Sequence, residues 1–222
     1  MFQALDIKLF ELINMSAHNS VFDAVMPFFS QSWLMWAGAF VLIVAYAVHC
    51  CRSSLEPVGR VCMLILLVGL SVGVCDLATS GLKHSIGRER PCQTIVGANF
   101  CVPETGEWIV ITEDSQAGQT MGGSMPSPPA AACMSLAIVL SMLFYRSNPW
   151  VFLLPFCVGF SQVYLGRNFP FDIVVGWVIG IISVIAVWWC CHLIFARFST
   201  HRRLKQNTAQ KNKMSGRHVA GT

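Results

Sequence analysis

The sequence predicts an all-α fold, a polytopic membrane helix bundle of about five transmembrane helices preceded by an amino-terminal interfacial amphipathic helix. Three observations predict it. Of the 222 residues 55% are hydrophobic and only 12% charged, with a mean hydropathy of +0.59, whereas a soluble domain carries roughly 25% charged residues. The apolar residues gather into segments near the roughly 20 helical residues that a bilayer core requires. Basic residues recur in alternate connections between those segments, as they do in cytoplasmic loops.

Residues 2–15 place Phe2, Leu5, Ile7, Leu9, Phe10, Leu12 and Ile13 among Asp6, Lys8 and Glu11. They are too polar to span and read as a helix lying at the interface. The apolar segments follow at about 31–51, 61–82, 129–146, 150–165 and 173–195. The fourth is short, so it must run upright or end in a protein-lined recess. Residues 1–198 then form one transmembrane domain, and 199–222 a basic, disordered tail. No cleavable signal peptide and no internal repeat is read from the chain.

Arg52 and Arg60 lie between spans one and two, Arg146 between spans three and four, and the tail with Arg202, Arg203, Lys205, Lys211 and Lys213 after span five. These regions are mutually consistent as cytoplasmic. The 83–128 and 166–172 loops then face the other side, where Lys83, Arg88, Arg90 and Arg167 run against the charge bias. The net charge of +4 sits largely in the tail and does not mark a nucleic-acid binder. Of the ten cysteines, most fall in or beside apolar segments and behave as small hydrophobes. Cys92 and Cys101 lie instead in the polar 83–128 loop and could form a disulfide if that loop faces an oxidising compartment. Within the same loop, Trp108 to Ile111 either dips into the interface or forms a short strand.

Lys83-His84-Ser85-Ile86-Gly87-Arg88-Glu89-Arg90-Pro91 sets three cations beside a hydrocarbon boundary. A stop-transfer flank would look similar. Charge at that depth is nevertheless a site hypothesis by default, and Lys with Arg suits a phosphate, as point charge and bidentate fork. The predicted topology brings two further segments to the same face: Ser124-Met125-Pro126-Ser127-Pro128-Pro129 at the start of span three, and Ser161 to Asp172 joining spans four and five.

In the order and spacing of these three segments the chain resembles the type 2 phosphatidic acid phosphatase (PAP2) superfamily, membrane lipid phosphatases whose motifs are Lys, six residues, Arg-Pro; then Pro-Ser-Gly-His; then Ser-Arg, five residues, His, three residues, Asp. Lys83, Arg90 and Pro91 match the first in full, and Tyr164-Leu165-Gly166, Pro170, Asp172 and Gly176-Trp177 support the third. The resemblance implies a metal-independent, cofactor-free reaction on a membrane lipid phosphate. The cations and Ser127 hold the phosphate, and the third-motif His attacks phosphorus. The Asp orients that His, and the second-motif His protonates the leaving oxygen.

The match fails at the chemical positions. Pro128 replaces the Gly and Pro129 the general-acid His. Gln162 replaces the phosphate-binding Arg, keeping hydrogen bonds without charge, and Asn168 replaces the nucleophilic His. An amide lone pair is delocalised and proline has no proton to give. Losing a nucleophile or a general acid costs about 10²–10⁶ in rate. The expectation is a phosphatase scaffold, impaired or inactive, whose Lys83, Arg90, Ser127 and weakened Gln162 still bind a lipid phosphate, with Asn168 able to contact the retained Asp172. Short loops and the resemblance point to a bacterial inner membrane with the site on the extracytoplasmic side. Two alternatives compete: an active lipid phosphomonoesterase or pyrophosphatase with His84 or Ser127 as nucleophile, and a non-enzymatic transport or complex subunit. His84 adjoins Lys83, but neighbouring helical residues point about 100° apart. Arg88 is read as a ligand contact or a solvated loop residue, and Asp76, inside span two, as a buried residue needing a partner.

Overall fold

Each apolar segment predicted as a span is helical over its described residues. In the computed structural model, which describes residues 2–52, 57–103, 105–113, 122–143 and 149–219, the chain begins with α1 (Phe2–Glu11), continued by a π-helical turn over Leu12–Ser16. α2 (Ser20–Phe29), α3 (Ser32–Arg52), α4 (Pro57–Ile86) and the single turn α5 (Pro91–Thr94) follow. After a small hairpin come α6 (Pro128–Leu143), a 3-10 turn leading into α7 (Leu153–Tyr164), and α8 (Pro170–Val219). Two stretches, Val61–Thr94 and Pro170–Ile194, are long and apolar enough to cross a membrane. α2 is an additional short helix, started by the Asn19 side chain, which accepts from the N–H groups of Val21 and Phe22. Residues 185–222 form a separate unit, in which the helix continues through 219, into the stretch expected as a disordered tail. Arg146 lies outside the described residues, as do the side chains of Arg52, Arg60 and the tail.

Of the stretch Trp108 to Ile111, the first three residues form a strand. β1 (Asn99–Cys101) and β2 (Trp108–Val110) pair antiparallel, with Phe100 opposite Ile109. Cys92 and Cys101 are both buried and not joined to each other, so the expected disulfide is not formed; the Cys101 thiol donates to the Gly106 carbonyl at 3.8 Å.

Two apolar clusters organise the fold up to residue 184. One joins α3, α4, α6 and α8 through Ala39, Leu64, Val68, Leu136, Val139 and Val184. The other lies under the loops and unites Phe10 of α1 with Cys92, Phe100, Ile111, Ala130, Val163, Phe169 and Ile173. Phe10 is fully buried and tilts against Phe169, ring centroids 5.5 Å apart. α1 is therefore anchored in protein, and its Asp6, expected on the polar interfacial face, points inward at 6% exposure. The π-helical turn is pinned by a reciprocal pair, Asn99 N–H donating to Asn14 Oδ1 at 2.8 Å and Asn14 Nδ2 donating to the Asn99 carbonyl at 2.8 Å.

α6 and α8 touch backbone to backbone. A Cβ on Gly180 would stand 2.4 Å from the Ala131 carbonyl oxygen, and one on Gly176 2.7 Å from that of Ser127. Glycines four apart permit this approach, the usual way apolar helices associate without a solvent-driven force. Gly180→Ala is expected to cost about 1–3 kcal/mol by overpacking and to lower the melting temperature of the detergent-solubilised protein. Gly69→Ala, where a Cβ would meet nothing within 4 Å, should leave it unchanged.

Candidate lipid-phosphate site

Lys83 sits in the last turn of α4, which Gly87 terminates at a positive φ of 60° as its N–H bonds the Lys83 carbonyl. The chain then runs extended to Arg90, the N-cap of α5, whose N–H donates to Gln93 Oε1 at 2.9 Å. The segment before α6 folds back across this turn. Ser124 N–H donates to the Arg88 carbonyl at 2.7 Å, and Arg90 Nε to the Gly122 carbonyl at 2.9 Å. The third segment closes the set, Ser127 N–H donating to the Asp172 carbonyl at 3.2 Å. The three motifs thus meet, as their sequence order predicts.

Two groups of the expected phosphate cradle have no partner among the described residues. The half-buried Lys83 ammonium makes no hydrogen bond or ion pair among the described residues, and the fully buried Ser127 Oγ has no partner. α6 starts at Pro128, as the proline pair predicts, but Pro128 and Pro129 remove two of the free N–H groups that a helix start would offer an anion. Gln162, 3% exposed, donates from Nε2 to Ser30 Oγ at 3.0 Å.

The positions that would carry chemistry are otherwise engaged. Asn168 does not reach Asp172: its Nδ2 donates to the Ser124 carbonyl, while Ser124 Oγ donates to Asp172 Oδ2. Asp172, fully buried, also accepts from Phe169 N–H at 2.8 Å and pairs with Arg88 Nη1 at 2.7 Å. Phe169 and Asp172 stand at the N-cap and third position of α8, so the carboxylate closes half of a capping box. His84 turns back along α4, its Nδ1 2.8 Å from the Ser80 carbonyl.

Arg88 is not a solvated loop residue but is held by two protein carboxylates. Its guanidinium bridges Asp172 and Asp6 Oδ2, the latter at 2.6 Å, and lies 4.2 Å over the Phe169 ring. Asp6 Oδ1 further accepts from Phe171 N–H at 2.9 Å. Asp6 and Ser30 were not legible as site residues, whereas Arg88 stood out as a cation two residues before Arg90 and Ser124 as the first residue of the second segment. Asp76 is likewise corrected. It is exposed, its carboxylate makes no hydrogen bond or ion pair among the described residues, and it lines a largely apolar cavity of about 430 Å³ with Trp36, Val72, Pro128, Pro129 and Leu136.

Arg167 donates from Nη1 to Ser30 Oγ at 2.5 Å and more loosely from Nη2 to the Cys101 carbonyl at 3.5 Å, and its buried Nε has no partner. Burial lowers its pKa from the ordinary arginine value, partly countered by Cys101, and the neighbouring positive charge of Arg90 lowers it further.

Aquifex aeolicus LpxE has a crystal structure that matches 83% of this chain and 94% of its own, with TM-score 0.57 and 22% identity, a likeness of fold. A PAP2 type phosphatidylglycerolphosphate phosphatase from Bacillus subtilis aligns more loosely, at 18% identity and TM-score 0.43 over 86% of this chain and 96% of that one. In sequence, the bacitracin transport permease protein BcrC of Bacillus licheniformis is 22% identical over 218 residues, 96% of this chain and 95% of that protein. The family model of the PAP2 superfamily matches residues 61–195, more than half of the chain. With its three motif segments assembled at one place in a membrane helix bundle, the chain belongs to the PAP2 superfamily of membrane lipid phosphatases.

Proposed function

We propose that this protein binds a lipid phosphate at Lys83, Arg90 and Ser127 and does not hydrolyse it. The observation that carries the reading is the division of labour around Ser124. Its carbonyl takes the Asn168 amide and its hydroxyl takes Asp172, so the nucleophile position holds a non-nucleophilic group already spent on structure. The open Lys83 ammonium and the unpartnered Ser127 hydroxyl support binding. The apolar cavity begins at Pro128, directly after Ser127, and suits one hydrocarbon chain of the bound lipid. The site faces the extracytoplasmic side of a bacterial inner membrane, by the basic bias of the opposite loops.

The active-enzyme alternative lacks support from its candidates, since His84 is turned onto Ser80 and Ser127 Oγ has no base within hydrogen-bond reach. The name of the Bacillus licheniformis relative favours a transport role as a second reading. Phosphate release from dioctanoyl phosphatidate by the purified protein should not exceed that of Lys83→Ala; clear turnover above it would sink the non-catalytic reading. Binding of the same lipid should weaken about 10- to 100-fold in Lys83→Ala and in Arg90→Ala, as expected for a charge-assisted hydrogen bond. Unchanged binding in both would favour the transport reading.

A further inference from the structure

We propose that Arg167 supplies, from the turn after α7, the third phosphate-binding cation that Gln162 lacks, and that the site therefore takes the dianion of a phosphate monoester in preference to a singly charged diester. The inference rests on the lipid-phosphate reading above and adds a residue and a charge requirement to it.

The geometry begins with the backbone. At the end of α7, Gly166 adopts a φ of 74°, and the N–H groups of Arg167 and Asn168 both donate to the Gln162 carbonyl, at 3.1 and 3.2 Å. This turn folds residue 167 back beside residue 162, five positions earlier. The side chains then converge on one acceptor, Ser30 Oγ, which takes Gln162 Nε2 at 3.0 Å and Arg167 Nη1 at 2.5 Å. The guanidinium nitrogen can lie no farther from the Gln162 amide than the sum of those two distances. A cation therefore occupies the neighbourhood of the side chain whose charge the motif lacks.

Arg167 is also short of an anion. Arg88 has two carboxylates, whereas Arg167 has no ion pair among the described residues and keeps a buried Nε–H without an acceptor. Burying a charge unpaired is costly unless a ligand compensates it. The nearness of Arg90 adds like-charge repulsion, which a bound dianion would convert to attraction. With Lys83 these make three positive charges, matched better by a phosphate monoester than by a diester. Ser30, held by Gln162, fixes the guanidinium fork in place, a positioning role.

Titration calorimetry on the detergent-solubilised full chain tests this with dioctanoyl phosphatidate, dioctanoyl phosphatidylglycerol and inorganic phosphate. Arg167→Met is expected to weaken phosphatidate and inorganic phosphate alike by about 10- to 100-fold while changing phosphatidylglycerol binding little. Arg167→Lys should retain most of the phosphatidate affinity. A loss confined to the lipid arm would overturn contact with the phosphate, and an equal loss for the diester would overturn the charge preference. Unchanged phosphatidate binding in Arg167→Met, with binding still weakened by Lys83→Ala, would overturn the inference alone. Insensitivity to Lys83→Ala and Arg90→Ala as well would remove the reading beneath it. If Arg167→Met fails to fold, the exchange Gln162→Arg with Arg167→Gln decides: retained phosphatidate affinity supports the shared position, and loss at an unchanged melting temperature overturns it.

Discussion

Arg88→Met is expected to destabilise the protein by about 3–5 kcal/mol, the cost of leaving buried charge without its partner. Arg88 is the counter-ion of Asp172, fully buried, and of Asp6, 6% exposed, at 2.7 and 2.6 Å. Without the guanidinium, two carboxylates remain near each other in a poorly hydrated place. The loss is larger than one ion pair because the bridge joins elements distant in sequence: α1, the turn after α4 and the start of α8. Asp6→Asn should cost less, since Asp172 keeps Arg88, Ser124 and the Phe169 N–H. Combining Arg88→Met with Asp6→Asn and Asp172→Asn should recover part of the stability, because no uncompensated charge is left. Thermal unfolding in detergent, followed by tryptophan fluorescence, measures all of these. An Arg88→Met melt equal to the parent's would show that the bridge is not structural.

The division between what the sequence reveals and what it hides follows interaction range. Spans are local: an uninterrupted apolar segment between polar loops must become helix, because a backbone in hydrocarbon satisfies its hydrogen bonds only internally. Motif order is also local, which is why Lys83, Ser127 and Asp172 converge as their spacing predicts. The inward face of α1 is not local. Asp6 reads as a polar surface residue until Arg88, 82 positions away, and the Phe171 N–H are placed beside it. The expected contact between Asn168 and Asp172 carried over the family's His–Asp pair to an amide in the His position. α8 begins at Pro170, so Asn168 precedes the first turn, and Asp172 turns back to cap it. In sequence Arg167 stands out only as a cation against the charge bias, five positions after Gln162. The positive φ at Gly166 and the shared hydroxyl of Ser30, 137 positions from Arg167, bring it beside Gln162, and neither is visible in a linear motif.

Restoring Pro128→Gly, Pro129→His, Gln162→Arg and Asn168→His together is expected to raise lipid-phosphate hydrolysis at least about 10²-fold above the parent, the scale of one general acid or base. The scaffold is ready for the exchange. The Asn168 amide already donates to a fixed carbonyl, that of Ser124, so an imidazole there can donate from one ring nitrogen and present the other to phosphorus. Pro128→Gly returns an N–H to the start of α6. The steps can be separated by leaving group. Asn168→His alone lacks a proton donor, so it should act on p-nitrophenyl phosphate, whose phenolate departs unprotonated, well before it acts on an alkyl lipid phosphate. Adding Pro129→His should then raise the lipid rate more than the aryl rate. Gln162→Arg brings a further cation to Ser30 beside Arg167, so its benefit should be smaller than that of either histidine if Arg167 already serves the phosphate. A fourfold variant that melts like the parent yet shows no release above it would mean that more than the chemical side chains has been lost, and the Arg88 hold on Asp172 would be the first place to look.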